Sequence, residues 1–513
     1  MEGFEVRSIW FLFAVTFALA ACHRALPPAE VAAASGIAWR EGDVDDALAE
    51  ARESGKPVIL YWGAKWCPPC NQMKSTLFKD PAFIAQTRNF VPVYLDGDSE
   101  GAQRWGERFG ISGYPTVIVL RADGSEITRL SSATTVSRLA DVLKAAAGRT
   151  TPIETLFATA RKDAASLSRD DWQLLAAFDW RNDPRHFADP ARASALLERL
   201  ARAVPDPVLK RRFALLALVT GTRQGPDGHY ALSPAQQGRI RELVPAILAS
   251  PAEVTANRQE LSYALPPLIA ALPDAGQRAA LGGSLVSALD HVYADAALPI
   301  PDRLGTVAAD IALAKRPSGA IPAPVLAKVR ARAAWADKVA TDAMVRQSVI
   351  SNAADLLHEA GDDSGAKRLL EAELKRSEAP YYYMLDLASI AEDEKDGPAA
   401  IAWARKAYET AQGSATRVQW AIAYSQTVLR QAPDDKAAVE ASAAAVIDEL
   451  GRNPGSYYQR TRVKVSAWGK ALRAWSDAHG GSAVLARLDT RMAGVCAKQG
   501  EAAADCRTWS QAA

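Results

Sequence analysis

The sequence predicts an α/β domain over residues 37–148, followed by a large all-α helical domain over residues 151–513. Short apolar, β-rich runs alternate with helical patterns in the first part. From about Thr151 onward, alanine- and leucine-rich amphipathic segments of roughly 12–18 residues alternate with breaks rich in Pro, Gly and Asp. The chain has 513 residues, of which 49% are hydrophobic and 23% charged, so both parts have enough apolar side chains for a core.

The α/β part begins with a predicted helix over residues 43–55, because its apolar positions repeat at helical spacing and a glycine ends it. Residues 56–62 form a short apolar run that is typical of a strand buried on both faces. The later elements are predicted as a strand over 90–98, a helix over 104–110, two strands joined by an Asp123-Gly124 turn within 111–127, and an amphipathic helix over 134–148.

The segment after the first predicted strand, ILYWGAKWCPPCNQMK, places Cys67 and Cys70 where a helix can start. A sulfur at a helix start lies near unpaired backbone N–H groups and the positive end of the helix dipole, and both stabilise the reactive thiolate. Two intervening residues let the second sulfur resolve a mixed disulfide formed by the first. Pro68 and Pro69 suit the first helical positions, where a missing N–H costs little.

A Cys-x-x-Cys pair can also be half of a zinc site or a permanent structural bridge. A zinc site needs two further ligands at matching spacing, and the six histidines are scattered at positions 23, 186, 229, 291, 358 and 479. Cys496 and Cys506 are poorly spaced for a second half-site. A structural bridge seldom lies at a strand-to-helix turn behind a tryptophan. We therefore expect a redox pair, with no metal and no cofactor.

These features, together with GYPT at residues 113–116, resemble the thioredoxin superfamily over residues 37–148, and in particular its periplasmic thiol:disulfide interchange branch. The resemblance implies that Cys67 is the exposed attacking thiol and Cys70 the buried resolving thiol. It also implies that Pro115 is cis and faces the disulfide. The active-site surface implied by the resemblance consists of Trp66, Pro68, Pro69, Tyr114 and Thr116.

Proton handling departs from the thioredoxin pattern. Typical thioredoxins carry a buried acid in the strand before the first cysteine, and that acid accepts the proton of the resolving thiol. This chain has Tyr61 at that position. Asn71 follows the second cysteine, where lysine is common, although Lys65 and Lys74 flank the site. We expect proton transfer to follow a different route here.

The first 21 residues are predicted to be an export signal. Residues 9–21 form a continuous apolar run, which fits the core of a signal peptide and is shorter than the ~20 residues that span a bilayer. Leu19-Ala20-Ala21-Cys22 resembles the lipobox of bacterial lipoproteins, whereas Ala18-Leu19-Ala20 also satisfies an ordinary cleavage rule.

Because the other four cysteines can pair, lipidation of Cys22 accounts for the odd thiol. A linker is predicted over residues 22–36. We expect a protein lipid-anchored on the periplasmic side of a bacterial membrane, with a soluble periplasmic protein as the alternative.

The all-α part contains a faint repeat. Residues 354–376, 388–410 and 420–446 resemble one another at an offset of about 33 residues. Their helix–turn–helix pattern resembles tetratricopeptide repeats, which implies a solenoid that binds other proteins along a concave face. We expect the aromatic residues of this part, such as Trp420 and the run 381–383, to pack between helices, with a ligand groove as the alternative.

The two cysteines near the end of the chain, Cys496 and Cys506, are predicted to form a structural disulfide. In an oxidising compartment such a bridge would hold the last helix and contribute about 2–3 kcal/mol for so short a loop. The alternative is a relay pair that exchanges with Cys67.

The predicted function is that of an exported, lipid-anchored thiol–disulfide oxidoreductase whose helical domain binds or positions clients. A net charge of +1 without a long basic run argues against nucleic acid as a partner. The expected partners are client proteins with thiols or disulfides, an upstream redox partner, and the membrane through the lipid anchor. Two alternatives are a helical scaffold whose redox module docks peptides without turnover, and an assembly factor whose cysteine pair senses redox state.

Overall fold

The computed structural model describes residues 36–511 except 42, 112, 132–141, 144–145, 147–150, 182, 184–185, 226–227, 316–319 and 454–456. The predicted export signal, Cys22 and nearly all of the predicted linker therefore lie outside the described residues. The same holds for most of the helix predicted over 134–148, of which Val142, Leu143 and Ala146 are described as helical.

The α/β part is built on a five-stranded sheet. Its strands are β1 (Arg40–Glu41), β2 (Val58–Gly63), β3 (Val91–Asp96), β4 (Thr116–Leu120) and β5 (Glu126–Ser131), in the order β1-β3-β2-β4-β5. β2 and β3 run parallel, with Leu60 opposite Val93, and β4 pairs antiparallel with both β2 and β5. Every residue of β2 is buried, as its unbroken apolar pattern predicts.

Four helices of the α/β part are α1 (Val44–Ser54), α2 (Pro68–Ser75), α3 (Pro81–Thr87) and α4 (Glu100–Phe109). The predicted helix over 43–55 is confirmed: Asp43 caps its first turn and Gly55 ends it in the left-handed conformation, with φ 71°. α4 begins four residues before the predicted helix because Ser99 accepts a hydrogen bond from the N–H of Ala102 and so caps it earlier. The sequence prediction missed β1 and α3.

After residue 150 the described chain is helical, which confirms the predicted order of an α/β part followed by an all-α part. The helices are α5 (Ile153–Asp163), α6 (Arg169–Ala177), α7 (Pro190–Ala203), α8 (Pro207–Gly221), α9 (Pro234–Leu248), α10 (Pro251–Ala256), α11 (Pro266–Ala270), α12 (Ala275–Ala294), α13 (Ile300–Gly305), α14 (Ala308–Ala314), α15 (Ala323–Val339), α16 (Ala343–Glu359), α17 (Asp363–Glu373), α18 (Pro380–Asp393), α19 (Gly397–Thr410), α20 (Ser414–Gln431), α21 (Lys436–Arg452), α22 (Gln459–His479), α23 (Ser482–Cys496) and α24 (Ala503–Arg507).

The three repeated segments of the sequence each run from one helix through a turn into the next helix. Residues 354–376 run from α16 into α17, residues 388–410 from α18 into α19, and residues 420–446 from α20 into α21. The likeness to tetratricopeptide repeats stays a prediction. Among the described residues, no helix has both the length and the apolar character needed to cross a membrane.

The helical part contacts the α/β part at two separate places. Its first helices share an apolar core with one face of the sheet, where Ile59 and Leu130 belong to the same cluster as Leu156 and Phe157. Later helices, namely α16, α18, α19, α20 and α22, lie against the end of the sheet at which α2 begins. The helical part thus contacts both a face and an end of the α/β part.

Candidate functional site

Cys67 and Cys70 lie at the junction between β2 and α2. β2 ends at Gly63, and Cys67 is the N-terminal cap of α2. The two sulfurs form a disulfide, with 5.2 Å between the Cα atoms. The backbone N–H of Cys70 points at the sulfur of Cys67, with 3.2 Å between nitrogen and sulfur. Pro68 and Pro69 occupy the first two helical positions. A backbone N–H at these positions has no acceptor within the helix, so proline, which has no N–H, loses no hydrogen bond there.

The GYPT segment lies before β4. The peptide bond between Tyr114 and Pro115 is cis, and Thr116 pairs with Trp62 across the sheet. The hydroxyl of Thr116 donates to the backbone oxygen of Gly113 at 2.9 Å. The ring of Tyr114 lies 6.3 Å from that of Trp66, so the two sequence motifs meet at one surface.

The attacking cysteine implied by the resemblance is buried. Only 2% of Cys67 is exposed and Cys70 is fully buried, which corrects the expectation that Cys67 is an exposed thiol. The reason is that side chains of the helical part cover it. Cys67 and Cys70 belong to one apolar cluster with Ala64, Trp66, Ala379, Tyr381, Met384, Ala407, Ala411 and Trp420.

Trp66 makes several contacts with the helical part. Its indole N–H donates to the hydroxyl of Thr416 at 2.6 Å. The ring stacks on Tyr382, with 6.3 Å between centroids, and meets Trp420 edge-on at 5.1 Å. Trp420 in turn donates to the backbone oxygen of Tyr381 at 3.0 Å. The aromatic residues of the helical part pack between helices, as predicted, and they also pack against the redox pair.

Asp98 caps a helix of the other part of the chain. Its carboxylate accepts the backbone N–H of Thr416 at 2.7 Å and the hydroxyl of Thr416 at 2.8 Å. The hydroxyl of Ser414 donates to the backbone oxygen of Asp98 at 2.9 Å. The acceptor therefore lies at the first turn of α20, where backbone N–H groups need partners and the helix dipole favours an anion. Burial raises the pKa of Asp98, and the hydrogen bonds from Thr416 oppose that rise.

Further polar contacts surround the same surface. The side-chain amide of Asn71 donates to Gln347 on α16 at 2.7 Å. The guanidinium of Arg460 lies over the rings of both Trp66 and Tyr114, at 5.3 and 4.7 Å from their centroids. Arg462, two residues further along, forms an ion pair with Glu107 of the α/β part.

A polar cavity of about 280 Å³ lies beside the CPPC turn. Its lining from the α/β part is Pro68, Pro69 and Gln72, and its lining from the helical part is Gln259, Tyr263, Pro301, Asp302, Ser348, Ser351, Asn352, Asp355 and Tyr382. Next to it, the hydroxyl of Ser351 donates to the carboxylate of Asp386 at 2.5 Å. Burial raises the pKa of both Asp386 and Asp355, and the charge of Asp355 raises that of Asp386 further.

Tyr61 cannot replace the acid that typical thioredoxins carry at its position. It is fully buried, and its hydroxyl has no hydrogen-bond partner among the described residues. Burial raises the pKa of the Tyr61 phenol, so it stays protonated at neutral pH and does not accept a proton. Lys74, one turn beyond Cys70 on α2, donates to the hydroxyl of Tyr94 at 3.3 Å, and burial lowers its pKa.

Cys496 and Cys506 lie in the chain's last helices and belong to a different apolar cluster from that of Cys67 and Cys70. They form a disulfide with 5.4 Å between the Cα atoms. Both are fully buried in a core cluster that includes Trp468 and Trp509. The structure does not bring this pair into the cluster around Cys67.

No group of three or more His, Cys, Asp or Glu side chains suited to a metal ion occurs in the part of the chain that the structure describes. The residues that the sequence analysis missed are those by which the helical part covers the pair, above all Gln347, Thr416 and Arg460. No local motif marks them, because the residues in contact are distant in the sequence: Asn71 and Gln347 are 276 positions apart, and Trp66 and Thr416 are 350 apart.

Comparisons with known proteins agree with the site. A family model described as a thioredoxin-like domain matches residues 44–147. The thiol:disulfide interchange protein DsbD 1 of Pseudomonas aeruginosa is 34% identical over 110 residues, which are 21% of this chain and 19% of that protein. DsbD of Ralstonia nicotianae is 31% identical over 86 residues, 16% of this chain and 14% of that protein.

A plant protein gives a similar result. Thioredoxin H4 of Arabidopsis thaliana is 28% identical over 97 residues, which are 19% of this chain and 77% of that protein. The chain thus spans less than a fifth of the length of the two DsbD relatives.

Proposed function

We propose that this chain is a thiol–disulfide oxidoreductase acting through Cys67 and Cys70, because residues 44–147 match the family model of a thioredoxin-like domain. The observation that carries the proposal is the place of Cys67 at the start of α2, with the N–H of Cys70 directed at its sulfur. Backbone N–H groups and the helix dipole stabilise the Cys67 thiolate once the disulfide is reduced.

The exchange takes two steps. In the reduced protein, the Cys67 thiolate attacks one sulfur of a client disulfide, which breaks that bond, releases one client thiolate and forms a mixed disulfide. Cys70 then loses its proton and attacks the Cys67 sulfur, so the second client thiolate leaves and the Cys67–Cys70 bond forms. Two electrons pass from the pair to the client. The reverse sequence oxidises a client dithiol, and the relative reduction potentials decide the direction.

The neighbours of the pair take supporting roles in this proposal. Pro115, next to Tyr114, borders the sulfurs, and the backbone of Tyr114 pairs with an extended client segment. Trp66, Pro68, Pro69 and Thr116 form the surface around them. The ring contact of Trp66 with Tyr114 supports a shared surface.

We further propose that the protein is exported to the periplasm and anchored there through a lipid on Cys22. The apolar run of residues 9–21 directly before Cys22 supports this proposal. Wild-type protein should fractionate with membranes, and Cys22→Ser should make it soluble or leave the signal uncleaved. Soluble wild-type protein with Ala21 as its first residue would favour the ordinary cleavage site instead.

The helical part binds or positions client proteins or an upstream redox partner in this proposal. A second candidate is redox sensing, in which the pair changes oxidation state without turning over clients. The burial of Cys67 favours this candidate, because a covered disulfide reports its oxidation state to the helices packed on it.

Turnover separates the two candidates. The purified chain is given a protein disulfide and a reductant, and the release of client thiols is followed, with Cys67→Ser as the control. Sustained turnover that Cys67→Ser abolishes supports the oxidoreductase. A single stoichiometric exchange without turnover supports the sensor.

A further inference from the structure

The surface that would meet a client is occupied by the chain's own helices. We define the redox face as Trp66, Cys67, Pro68, Asn71 and Tyr114. Each of these residues contacts, packs with or lines a cavity with the helical part, through helices α16, α18, α19, α20 and α22. We call these five helices the cover.

A covered disulfide cannot exchange with a protein. The attacking thiolate must approach the Cys67 sulfur along the line of the bond that breaks, and a client brings its backbone with it. With 2% of Cys67 exposed and Cys70 fully buried, a polypeptide has no path to either sulfur while the cover is in place.

The polar contacts of the cover are incompletely satisfied. Among the described residues, Nε and Nη1 of Arg460, Nε2 of Gln347 and Oε2 of Glu107 are buried without hydrogen-bond partners. Each such atom forfeits its hydrogen bonds to water while the cover is closed and regains them when it opens. Opening of the cover therefore restores hydrogen bonds to these four atoms.

A short chain of hydrogen bonds holds the cover closed. The Trp66 indole donates to the Thr416 hydroxyl, which donates in turn to the Asp98 carboxylate. That carboxylate also accepts the N–H of Thr416 and so completes the first turn of α20. A carboxylate that accepts two hydrogen bonds in a buried place makes the strong, charge-assisted kind.

We propose that the cover is a removable cap, held by the Trp66–Thr416–Asp98 hydrogen bonds, and that the redox pair exchanges with proteins only when this cap withdraws. The proposal rests on the proposed oxidoreductase function. It adds a regulatory step, because whatever favours the open arrangement controls the rate of exchange.

The test compares a large and a small reductant on the oxidised full-length chain. A reduced single-domain thioredoxin is the large dithiol and dithiothreitol the small one. The reaction is quenched with an alkylating reagent at successive times, and peptide mass spectrometry follows the label at Cys67. Variants Thr416→Val and Gln347→Ala remove hydrogen bonds of the cover on the helical side. Thr490→Val makes the same chemical change at an exposed position on α23 and is the matched control.

The wild-type chain and Thr490→Val should be reduced slowly by the protein dithiol, and Thr416→Val about tenfold faster or more, as expected for the loss of a charge-assisted hydrogen bond. Gln347→Ala should change the rate in the same direction, and circular dichroism should show both variants folded. A sample of the wild-type chain unfolded in urea gives the rate at which the protein dithiol reduces an uncovered disulfide. Folded wild-type chain reduced at that same rate would overturn the proposal. The proposal would also be overturned if the protein dithiol reduced folded Thr416→Val and folded Gln347→Ala no faster than wild type.

The same samples separate this proposal from the proposed function. Turnover of a protein disulfide is measured in parallel. If Thr416→Val is reduced faster than wild type but no variant turns over, the cap stands and the oxidoreductase assignment fails. If wild type and Thr416→Val turn over equally fast, the oxidoreductase stands and the cap is overturned.

Discussion

Trp66 and Thr416 are 350 residues apart in the sequence, and the indole N–H of the first donates to the hydroxyl of the second at 2.6 Å. Trp66 directly precedes the redox pair, and Thr416 lies in the first turn of α20. The bond therefore couples the position of a helix in the second part of the chain to the residue that directly precedes the Cys67–Cys70 disulfide.

The glycine before that helix carries the first prediction. Gly413 has φ 89°, and a Cβ atom at this position would overlap the Asp98 carboxylate. Gly413→Ala should lower the free energy of unfolding by about 1–3 kcal/mol, because it strains the backbone and displaces Asp98 from α20. Urea unfolding measures this change. Gly494→Ala is the matched control: its added methyl meets nothing within 4 Å and lies in a helix, so that variant should match or exceed wild-type stability. Equal losses in both would contradict the prediction.

The second prediction concerns the nucleophile. Cys67→Ser should abolish exchange, because the sulfur at the start of α2 is the one that the helix activates. Cys70→Ser should instead accumulate mixed disulfides between Cys67 and clients, because the resolving thiol is gone. Non-reducing gels with mass spectrometry of the adducts measure both results. Trapping through Cys70 in the Cys67→Ser variant would reverse the assignment.

Tyr61 carries the third prediction. Its buried hydroxyl has no partner among the described residues, and its ring packs edge-on against Phe78 at 4.8 Å. Tyr61→Phe keeps the ring and removes the unsatisfied group, so stability should stay unchanged or rise by about 1 kcal/mol, and turnover should not change. Tyr94→Phe is the matched control, since the Tyr94 hydroxyl accepts from Lys74 and its loss should slightly lower stability. A loss of turnover in Tyr61→Phe alone would show that the phenol takes part in proton transfer.

Local patterns in the sequence were sufficient to predict most of the α/β part. The unbroken apolar run of β2, the Asp43 cap and the glycine at 55 are signals carried by neighbouring residues, and the structure has each element there. β1 was missed because two residues, Arg40 and Glu41, carry no readable period. The predicted start of α4 was four residues too late, because the residue that caps this helix, Ser99, lies before the apolar residues on which the prediction was based.

The cover could not be predicted in this way. The sequence identified Cys67, Cys70 and Trp66 from their motif, but their burial depends on residues such as Gln347 and Trp420 in distant helices. Those side chains look like ordinary helix-packing residues, and they do pack between helices. They also cover Cys67 and Cys70 because the helical part of the chain returns to the end of the sheet. Hydrophobic periodicity in the sequence does not encode that path.

The fourth prediction concerns the disulfide between Cys496 and Cys506. Replacing both with alanine should lower the free energy of unfolding by about 2–3 kcal/mol and leave turnover unchanged, because the pair is fully buried in a different cluster from that of Cys67 and Cys70. Guanidinium unfolding followed by tryptophan fluorescence is a suitable measurement, since Trp468 and Trp509 belong to the same cluster. Native stability combined with lost turnover would instead favour a relay between this pair and Cys67.

The last prediction concerns pH and the buried carboxyl groups beside the CPPC cavity. Burial raises the pKa of Asp386 and of Asp355, and the charge of Asp355 adds to the rise at Asp386. Between the ordinary carboxyl pKa and these raised values, the folded state binds more protons than the unfolded state, so stability should fall as the pH rises through that window. Asp386→Asn removes one of the two titrating carboxyl groups, while its side-chain oxygen can still accept from Ser351. We expect this variant to lose less stability between pH 5 and pH 8 than wild type, by on the order of 1–3 kcal/mol. Urea unfolding at several pH values measures the difference. Parallel stability curves for the two proteins would mean that Asp386 does not titrate with a raised pKa in the folded protein.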